Sequence, residues 1–465
     1  MNKFRKGEPA SVFQMEGIPK ISVALPLAVQ HVVAMIVGCV TPSLIIAGVT
    51  EMPNGDKVIL VQAALVIAAL STLIQLFPLF GKLGSGLPVM LGVGFAFLPS
   101  LKGIAEGYNI STIFGAQIVG GIVALIVGIF VKKLRYLFPP LITGTVVFTI
   151  GLSLYPTAIN YMAGGSSNPN YGSWQNWLVA ITTLIAVTIF NHFCKGILKL
   201  ASILMGMAVG YVVAGFFGMI SFNSVIEAGA FQLPQFMHFG ISFEISSCVA
   251  LGILFAVNAI QAIGDYSATT IGGLDREPTG KELQSGIMAY GISNVFGAFI
   301  GGLPTSTYSQ NVGIVATTKV VNRCVLGMAA GILLIAGLVP KFSAVLTTIP
   351  QAVLGGATVS VFASIAMTGM KLVASQPMTY RNTSIVGLSA ALGIGITQVT
   401  GALAGFPDWV TSVFAKSPVV VATLVAVALN IILPKEDDQQ LHLADDTKRI
   451  KMAQTTDEDV ISEEL

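Results

Sequence analysis

The side chains of this chain that are best suited to chemistry are uncharged amides inside apolar segments. Gln310 and Asn311 are adjacent in a stretch, 302–319, that Gly302 and Pro304 interrupt. Neighbouring residues of a helix point about 100° apart, so one amide can face a ligand while the other holds nearby backbone. If the flanking apolar runs cross a membrane, protein or a wet cavity must satisfy the polar groups of this stretch. We therefore expect 302–319 to form the binding site; a polar re-entrant loop with only a packing role is the alternative.

A second group of polar side chains recurs at helical spacing. Asn258, Gln261 and Asp265 lie three and four residues apart, which places them on one helix face. The Gln261 amide can both donate and accept, which suits the planar amide edge of a ligand, but it cannot carry a proton. Asp265 has two interpretations: an interfacial charge, or a partly buried carboxyl that takes up a proton during transport.

Two further segments complete the candidate site. Residues 92–97 combine small residues, which permit close backbone approach, with Phe95 and Phe97. Either ring could stack on a flat ligand, and plain packing is the alternative. His31 precedes a wholly apolar run, so it either lies at the membrane interface or orients another polar group of the site.

The sequence contains no grouping typical of catalysis. It lacks a His-Glu-x-x-His pair, a glycine-flanked serine elbow and a carboxylate dyad, and Gly84-Ser85-Gly86 matches a nucleotide-binding loop poorly. The four cysteines show no metal-ligand spacing. We therefore expect no enzyme activity, no metal and no cofactor.

The composition is that of a membrane protein. Hydrophobic residues make up 54% of the 465 residues and charged residues only 10%. A soluble protein of this length cannot bury that much apolar surface, so lipid must be the solvent for most of the chain. The net charge of +2 argues against a nucleic-acid partner. These features predict an all-α, polytopic membrane protein.

The apolar runs fall into two sets of seven. A spanning helix needs about 20 apolar residues, and most runs satisfy this, whereas the third and tenth are short and rich in Gly and Pro. The first repeat covers 24–220 and the second 246–434, between an amino-terminal end, 1–23, and an acidic segment, 435–465, that we expect to be disordered. The predicted segments lie near 24–48, 57–79, 84–100, 111–131, 138–156, 175–193, 198–220, 246–264, 284–301, 303–317, 323–340, 350–370, 384–402 and 416–434.

Loop charges orient these segments. Lys and Arg concentrate in one set of loops and in the amino-terminal end, whereas the opposite set holds few, and 157–174 and 221–245 hold none. Cytoplasmic loops carry the excess of positive charge. Both ends are therefore predicted to be cytoplasmic.

The two halves resemble each other. Gly86-Leu87-Pro88 opens the third segment, and Gly302-Leu303-Pro304 opens the tenth. Because each half has an odd number of segments, the second half must enter the membrane in the opposite orientation. Paired, interrupted segments at corresponding positions are typical of a transporter site between inverted repeats.

The stretch around Gln310 resembles a family signature. Gln310-Asn311-Val312-Gly313, followed by Thr318-Lys319, is similar to the signature of the nucleobase–ascorbate transporter family, also called nucleobase:cation symporter-2. That signature is Gln, Glu or Pro, then Asn-x-Gly-x-x-x-x-Thr, then Arg, Lys or Gly. Gln30-His31 resembles the family's first segment and Phe95-Ala96-Phe97 its third, while 163–172 is similar to a loop of bacterial xanthine and uric acid permeases.

The resemblance implies a fold and a site. It implies a core domain (segments 1–4 and 8–11) that moves against a gate domain (segments 5–7 and 12–14), short strands in segments 3 and 10, and a homodimer. It also implies that Gln310 binds an oxopurine directly and that Asn311 supports the site. The further predicted substrate-binding residues are Gln261, Phe95, Ala96 and Gly313.

Two positions depart from the family pattern. Gln261 stands where bacterial purine members usually carry a glutamate, and Tyr290 stands where many carry an aspartate. Asp265 is left as the acidic candidate for proton coupling, with His31 and Tyr290 as coupling or supporting positions. A base other than xanthine, or coupling through Asp265 alone, stays open.

Taken together, these patterns predict a secondary active transporter in the cell's inner membrane that imports a purine base, xanthine or uric acid foremost, by proton symport. The expected partners are the purine, H⁺, the lipid bilayer and a second copy of the chain. The alternatives are a permease for uracil or another nucleobase, and an inorganic anion or carboxylate carrier of the same architecture. The last of these would be expected to carry a basic residue at the site.

Overall fold

The computed structural model describes residues 10–131, 139–166, 168–399, 401–415 and 417–434. The acidic segment 435–465, predicted to be disordered, lies outside the described residues, as does the basic loop 132–135.

The first half of the chain is helical except for one short strand. A 3-10 turn, Phe95–Phe97, links that strand to the next helix. The elements are α1 (Ile21–Val49), α2 (Asn54–Leu76), β1 (Leu91–Val93), α3 (Leu98–Gly107), α4 (Ile110–Ile129), α5 (Pro140–Ser153), α6 (Tyr155–Met162), α7 (Trp174–Phe193), α8 (Ile197–Leu200) and α9 (Ser202–Phe216).

The second half repeats this order after a short connecting helix. It again contains one strand followed at once by a short helix. The elements are α10 (Asn223–Glu227), α11 (Ile245–Leu274), α12 (Gly280–Phe299), β2 (Thr305–Thr307), α13 (Ser309–Thr318), α14 (Arg323–Leu338), α15 (Pro340–Thr347), α16 (Gln351–Ala374), α17 (Tyr380–Gln398), α18 (Asp408–Phe414) and α19 (Pro418–Ile432).

The helices confirm a polytopic membrane fold. Within the described ranges, seven helical spans are long and apolar enough to cross a membrane, or eight if α14 and α15 form one span bent by 81°. Thirteen of the fourteen predicted segments contain most of an α-helix, whereas the third, 84–100, holds a strand, a 3-10 turn and only the start of α3; several of the helices are too short to span alone. The count of fourteen therefore stays a prediction.

The helices pack into the two groups expected of core and gate domains. In the first group α4 packs on α11 and α12, and α2 packs on α1 and α14. In the second, α16 packs on α5, α6 and α7, and α17 packs on α19. Glycines allow the closest crossings, because a Cβ on Gly121 would lie 2.8 Å from the Gly291 carbonyl oxygen in the core and one on Gly144 would lie 3.0 Å from that of Gly369 in the gate.

The strands β1 and β2 pair antiparallel across the two halves. Leu91 lies opposite Thr307, Gly92 opposite Ser306 and Val93 opposite Thr305. Two more backbone hydrogen bonds extend the pairing, from Gly94 N to Pro304 O and from Tyr308 N to Met90 O, both 3.0 Å. Because antiparallel strands run in opposite directions, this pairing fits halves of opposite orientation. The predicted strands in segments 3 and 10 are confirmed.

An ion pair joins the ends of α11 and α13, and a hydrogen-bonded turn connects α11 to α12. Lys319, at the end of α13, lies 2.8 Å from Asp275, at the end of α11. Arg276 binds Glu282 with two hydrogen bonds of 2.6 and 2.9 Å, and Thr279 forms a reciprocal cap with the same carboxylate. Although partial burial acts to raise the pKa of Glu282, the hydrogen bonds from Arg276 and Thr279 outweigh it and lower that pKa.

The strand pairing predicts that glycine is required at position 94. A Cβ added there would lie 2.3 Å from Ser306 Oγ and 2.9 Å from Ser306 Cβ. We expect Gly94→Ala to lower the free energy of unfolding by about 1–3 kcal/mol, because the added methyl group pushes the strands apart. Thermal unfolding of the detergent-solubilised protein measures this.

Gly387→Ala, in the middle of α17, is the matched control. A Cβ there meets no atom within 4 Å, so the substitution should be neutral or stabilising. Equal stability of the two variants would contradict the steric argument.

Candidate functional site

The strand pair brings two interrupted segments together at one point. Immediately after β1 the 3-10 turn begins at Phe95, and immediately after β2 the helix α13 begins at Ser309. The first N–H groups of a helix have no acceptor within the helix, and its amino-terminal end is electropositive. Two sets of backbone donors therefore lie at the junction.

A cavity of about 120 Å³ lies at this junction, between the core and the gate. The core supplies the residues after each strand and one residue of α11, and the gate supplies residues of α5 and α16. The lining residues are Gly94, Phe95, Ala96, Gln261, Ser306, Thr307, Tyr308, Ser309, Gln310, Val147, Ile150, Ser364, Ile365 and Thr368.

The amides of Gln310 and Gln261 both line the cavity. Gln310 is exposed, whereas the Gln261 Oε1 atom is buried and has no hydrogen-bond partner among the described residues. A buried acceptor without a donor is costly. The cavity therefore offers an acceptor that a bound N–H group would satisfy.

Asn311 points away from the cavity, toward α1. Its Nδ2 atom lies 3.0 Å from both His31 Nδ1 and the His31 carbonyl oxygen. His31 is 1% exposed and therefore does not lie at an interface. The ring nitrogen accepts this hydrogen bond when its proton is on Nε2. Asn311 thus fixes the start of α13 against α1. Of the two adjacent amides, Gln310 lines the cavity and Asn311 holds the neighbouring helix.

Asp265 is buried, and its carboxylate faces the junction of β2 and α13. The Thr307 hydroxyl donates to Oδ2, and the Ser309 hydroxyl donates to Oδ1 at 2.9 Å. Thr307 and Ser309 both line the cavity. The carboxylate is therefore buried in protein, as the second sequence interpretation expected, and it lies one residue away from the cavity wall. Asn258, on the same helix, is also buried but does not line the cavity.

Phe95 reaches across the cavity to the gate. Its ring stands edge-on to Phe362 of α16, with the centroids 5.4 Å apart and an interplanar angle of 79°. Ala96 lines the cavity beside it. Phe97 is buried against Phe255, with the centroids 4.7 Å apart. Of the two aromatic candidates, only Phe95 can therefore contact a ligand.

Two predicted positions lie outside the cavity wall. Tyr290 is fully buried beside Phe255, and its hydroxyl has no hydrogen-bond partner in the described part of the chain. Gly313 is exposed one turn beyond Gln310 on the same face of α13, and a Cβ there would meet no atom within 4 Å. The structure does not bring either residue into contact with the cavity.

One side of the cavity is closed by contacts between core and gate. On the side where α1 ends and α16 begins, the Tyr161 hydroxyl donates to the Ile45 carbonyl at 3.0 Å. A Cβ on Gly48 would lie 2.9 Å from Gln351 Nε2, so that amide packs directly on α1. On the opposite side Gln310 and Thr368 are exposed. Among the described residues, the contacts that close the cavity therefore lie on one side of it, and exposed lining residues lie on the other.

Sequence reasoning missed the gate side of the cavity. Val147, Ile150, Ser364, Ile365 and Thr368 were not predicted, although they line it. Ser364 and Thr368 sit four residues apart on α16, and their hydroxyls donate to the backbone carbonyls one turn earlier. Hydroxyl side chains at helical spacing within an apolar run were the signal that could have identified this wall.

A larger cavity, about 510 Å³, lies elsewhere in the gate. Its lining comes from three segments: several residues between 164 and 176, residues 217–219, and residues 350–352 at the start of α16. None of the predicted site residues lines it. Within the described ranges, histidine, cysteine and carboxylate side chains form no cluster of three that could hold a metal ion.

Comparison with known proteins gives consistent matches along the chain. Residues 23–402 match the model of Xan_ur_permease, described as a permease family. The uric acid permease PucJ of Bacillus subtilis (strain 168) is 35% identical over 424 residues, covering 89% of this chain and 93% of that protein. The xanthine permease XanQ of Escherichia coli (strain K12) is 31% identical over 440 residues, covering 91% of this chain and 94% of that protein.

A solved structure shares the fold. The transmembrane domain of the cyanobacterial bicarbonate transporter BicA superposes with a TM-score of 0.54 at 15% identity, covering 88% of this chain and 97% of that one. At this identity the likeness concerns the fold alone.

The contact between Asn311 and His31 predicts a structural cost for losing the amide. Asn311→Ala would leave the buried Nδ1 atom of His31 without a donor, so we expect the free energy of unfolding to fall by about 1–3 kcal/mol and uptake to fall with it. Thermal unfolding and whole-cell uptake measure the two effects. Asn223→Ala, at an exposed position, should change neither. An Asn311→Ala protein of parental stability would contradict this assignment.

Proposed function

Since the chain belongs to the permease family Xan_ur_permease, and is therefore a membrane transporter and not an enzyme, we propose that it is a secondary active transporter that imports a purine base together with protons. Xanthine and uric acid are the preferred candidates. The relatives named as xanthine and uric acid permeases support this choice, because each matches along most of its length.

The observation that carries the proposal is the buried Gln261 Oε1 in the cavity wall. It lacks a donor among the described residues, and an N–H group on an oxopurine ring would supply one. Gln310, across the same cavity, presents a second amide that both donates and accepts. Two neutral amides suit a ring edge on which N–H and C=O groups alternate.

Backbone donors and one aromatic ring complete the proposed recognition. The free N–H groups at the start of the 3-10 turn and of α13 favour carbonyl oxygens or a partial negative charge on the base. Phe95 extends into the cavity and contacts Phe362 of the gate at its edge. Its face is the apolar surface against which a flat ring would stack.

We assign proton coupling to Asp265. A buried carboxylate is costly when charged unless it is hydrogen-bonded, and here Thr307 and Ser309 donate to it. Both donors also line the cavity, so a bound base would contact the same residues that hold the carboxylate. The base and the proton would therefore both act on Thr307 and Ser309. Through these two residues, binding of either one can strengthen binding of the other.

Transport would proceed by movement of the core against the gate. The strand pair, α11 and α13 belong to the core, so Gln310, Gln261 and Asp265 would move together. The Phe95–Phe362 contact and the Tyr161–Ile45 hydrogen bond join core to gate and must break before the cavity opens on their side. The conformation described here is open on the opposite side.

Of the rival substrates, an inorganic anion is the less favoured. None of the residues that line the cavity in the described chain is lysine or arginine, so no basic side chain there would balance the full charge of an anion. Uracil presents an amide edge similar to that of an oxopurine and stays the alternative; the named relatives favour the purine.

We also propose that both chain ends lie in the cytoplasm and that two copies of the chain associate. Residues 10–18 pack on the turn between α13 and α14, where Arg323 N donates to the Met15 carbonyl. Lys319 lies in the same turn and Arg276 follows α11, so the amino-terminal segment shares its side with the basic loops. The positive-inside rule supports the cytoplasmic assignment. The inner membrane and the homodimer rest on the family resemblance.

The role of Gln310 predicts a change in substrate preference. Gln310→Glu removes a donor and adds a charge, so we expect weaker competition by xanthine and uric acid, by about tenfold or more, with a relative gain for other bases. Whole-cell uptake of labelled xanthine, competed with uric acid, hypoxanthine, guanine, uracil, ascorbate and sulfate, gives the profile.

Gln398→Glu, an identical change at an exposed position at the end of α17, should leave that profile unchanged. An unchanged profile in Gln310→Glu would remove this residue from the recognition scheme. Competition by sulfate alone in the parent protein would overturn the nucleobase proposal itself.

The role of Asp265 predicts a separation of accumulation from exchange. Asp265→Asn keeps the shape and one acceptor for the Thr307 and Ser309 hydroxyls but cannot be ionised. We expect pH-driven accumulation in proteoliposomes to be abolished, while base–base exchange and binding persist. Asp275→Asn, an exposed carboxylate at the end of the same helix, is the control and should accumulate normally. Full accumulation by Asp265→Asn would exclude Asp265 from coupling.

A further inference from the structure

The core domain carries, at its surface, a cation that has no hydrogen-bond or ion-pair partner among the described residues. Arg323 is the first residue of α14 and is partly buried. Its backbone N–H donates to Met15, but its guanidinium makes no hydrogen bond or ion pair with any described residue, and the Nε atom is buried. Arginine has five donors in a planar fork that matches a phosphate or a carboxylate. Such a group is expected to have an anionic partner.

The described residues around Arg323 supply no anionic partner. Gly86 has a positive φ of 69°, and a Cβ there would lie 3.0 Å from Arg323 Nη2 and 3.6 Å from Pro78 Cγ. Gly86 therefore packs against the guanidinium and brings it close to the turn that contains Pro78. Glu16, in the adjacent amino-terminal segment, is exposed and forms no ion pair with Arg323.

Exposed apolar side chains flank the same arginine. Residues 77–83 form a tight turn in which Leu79 N donates to Leu83 O at 2.8 Å. Phe80 at its tip is 92% exposed, and Lys82 follows it. A Cβ on Gly327, one turn after Arg323, would lie 3.2 Å from the ring of Phe77, which is itself largely exposed. The turn therefore lies directly beside the guanidinium.

We propose that this surface, the arginine patch (residues 77–82 with Arg323), binds the phosphate of an anionic phospholipid. Arg323 binds the phosphate, Lys82 adds positive charge, and Phe77, Leu79 and Phe80 insert at the boundary between headgroups and acyl chains. Aromatic rings and basic side chains favour that region of a bilayer. A soluble anion would use the arginine but would give no role to the apolar turn, so a lipid fits the whole patch.

The site is on the core and apart from the substrate cavity. A lipid bound there would attach the moving domain to one leaflet in the conformation described here. The inference does not depend on the identity of the substrate, because lipid binding can be measured without transport.

The test uses the full-length, detergent-solubilised protein. Phosphatidylglycerol and, in parallel, phosphatidylcholine are titrated while bound lipid is counted by native mass spectrometry and the unfolding temperature is recorded. We expect phosphatidylglycerol to bind more tightly than phosphatidylcholine. Arg323→Gln should weaken phosphatidylglycerol binding by about fivefold or more, and Arg323→Lys should give an intermediate loss, because it keeps the charge without the fork.

Lys341→Gln is the matched control, because this exposed cation lies beyond the opposite end of α14 and should leave lipid binding unchanged. Phe80→Ser changes a side chain that is already exposed and so preserves the fold; it should weaken lipid binding even if Arg323→Gln fails to fold.

Three outcomes would overturn the proposal. The first is equal binding of the two lipids by the parent protein. The second is parental lipid binding by both Arg323→Gln and Phe80→Ser. The third is stabilisation by inorganic phosphate equal to that by phosphatidylglycerol, which would identify a soluble anion as the ligand.

Discussion

The short antiparallel pairing of β1 with β2 is the constraint on which the rest of the structure depends. Both segments are short and interrupted by Gly and Pro, and each leaves backbone groups that must find partners inside the protein. The pairing satisfies those groups by joining residues more than two hundred positions apart in sequence. It also fixes where the following 3-10 turn and helix α13 begin, and so where their unpaired N–H groups lie. The cavity exists because two opposed segments end at the same depth.

Close backbone approach makes this junction possible. Gly92 and Gly94 admit Tyr308 and Ser306 at distances that a side chain would forbid. Once the strands are paired, adjacent polar residues contact different parts of the protein. Gln310 faces the cavity, while Asn311 holds His31 and α1. Thr307 and Ser309 face both the cavity and Asp265. Thr307 and Ser309 therefore link the carboxylate to the cavity wall, and the coupling that we propose rests on these two contacts.

The contacts between core and gate are few and chemically different from those within each domain. Within the domains, helices cross at glycines with their backbones in contact. Between them, the contacts include an aromatic pair, Phe95 with Phe362, the hydrogen bond from Tyr161 to the Ile45 carbonyl, and a buried hydrogen bond between the hydroxyls of Ser100 and Ser417. The arginine patch lies on the outer face of that core, where a lipid could bias its position without touching the cavity.

Local sequence was enough to predict the membrane setting, the interrupted segments and the amide-bearing stretch, because hydropathy, proline and glycine act on their own neighbourhood. The strands within the interrupted segments were implied by the family resemblance. Local sequence could not decide which of two adjacent amides faces the cavity, whether Asp265 is interfacial or buried, or that Phe95 meets Phe362, since each depends on strand register and helix rotation. The gate residues Ser364 and Thr368 were missed for the same reason. Their hydroxyls donate to carbonyls within α16, as in many helices, and they line the cavity only because the core packs against this face of the helix. A shift of one residue in the β1–β2 register would turn every side chain of the strands to the other face, so only the tertiary structure decided which of the candidate side chains line the cavity.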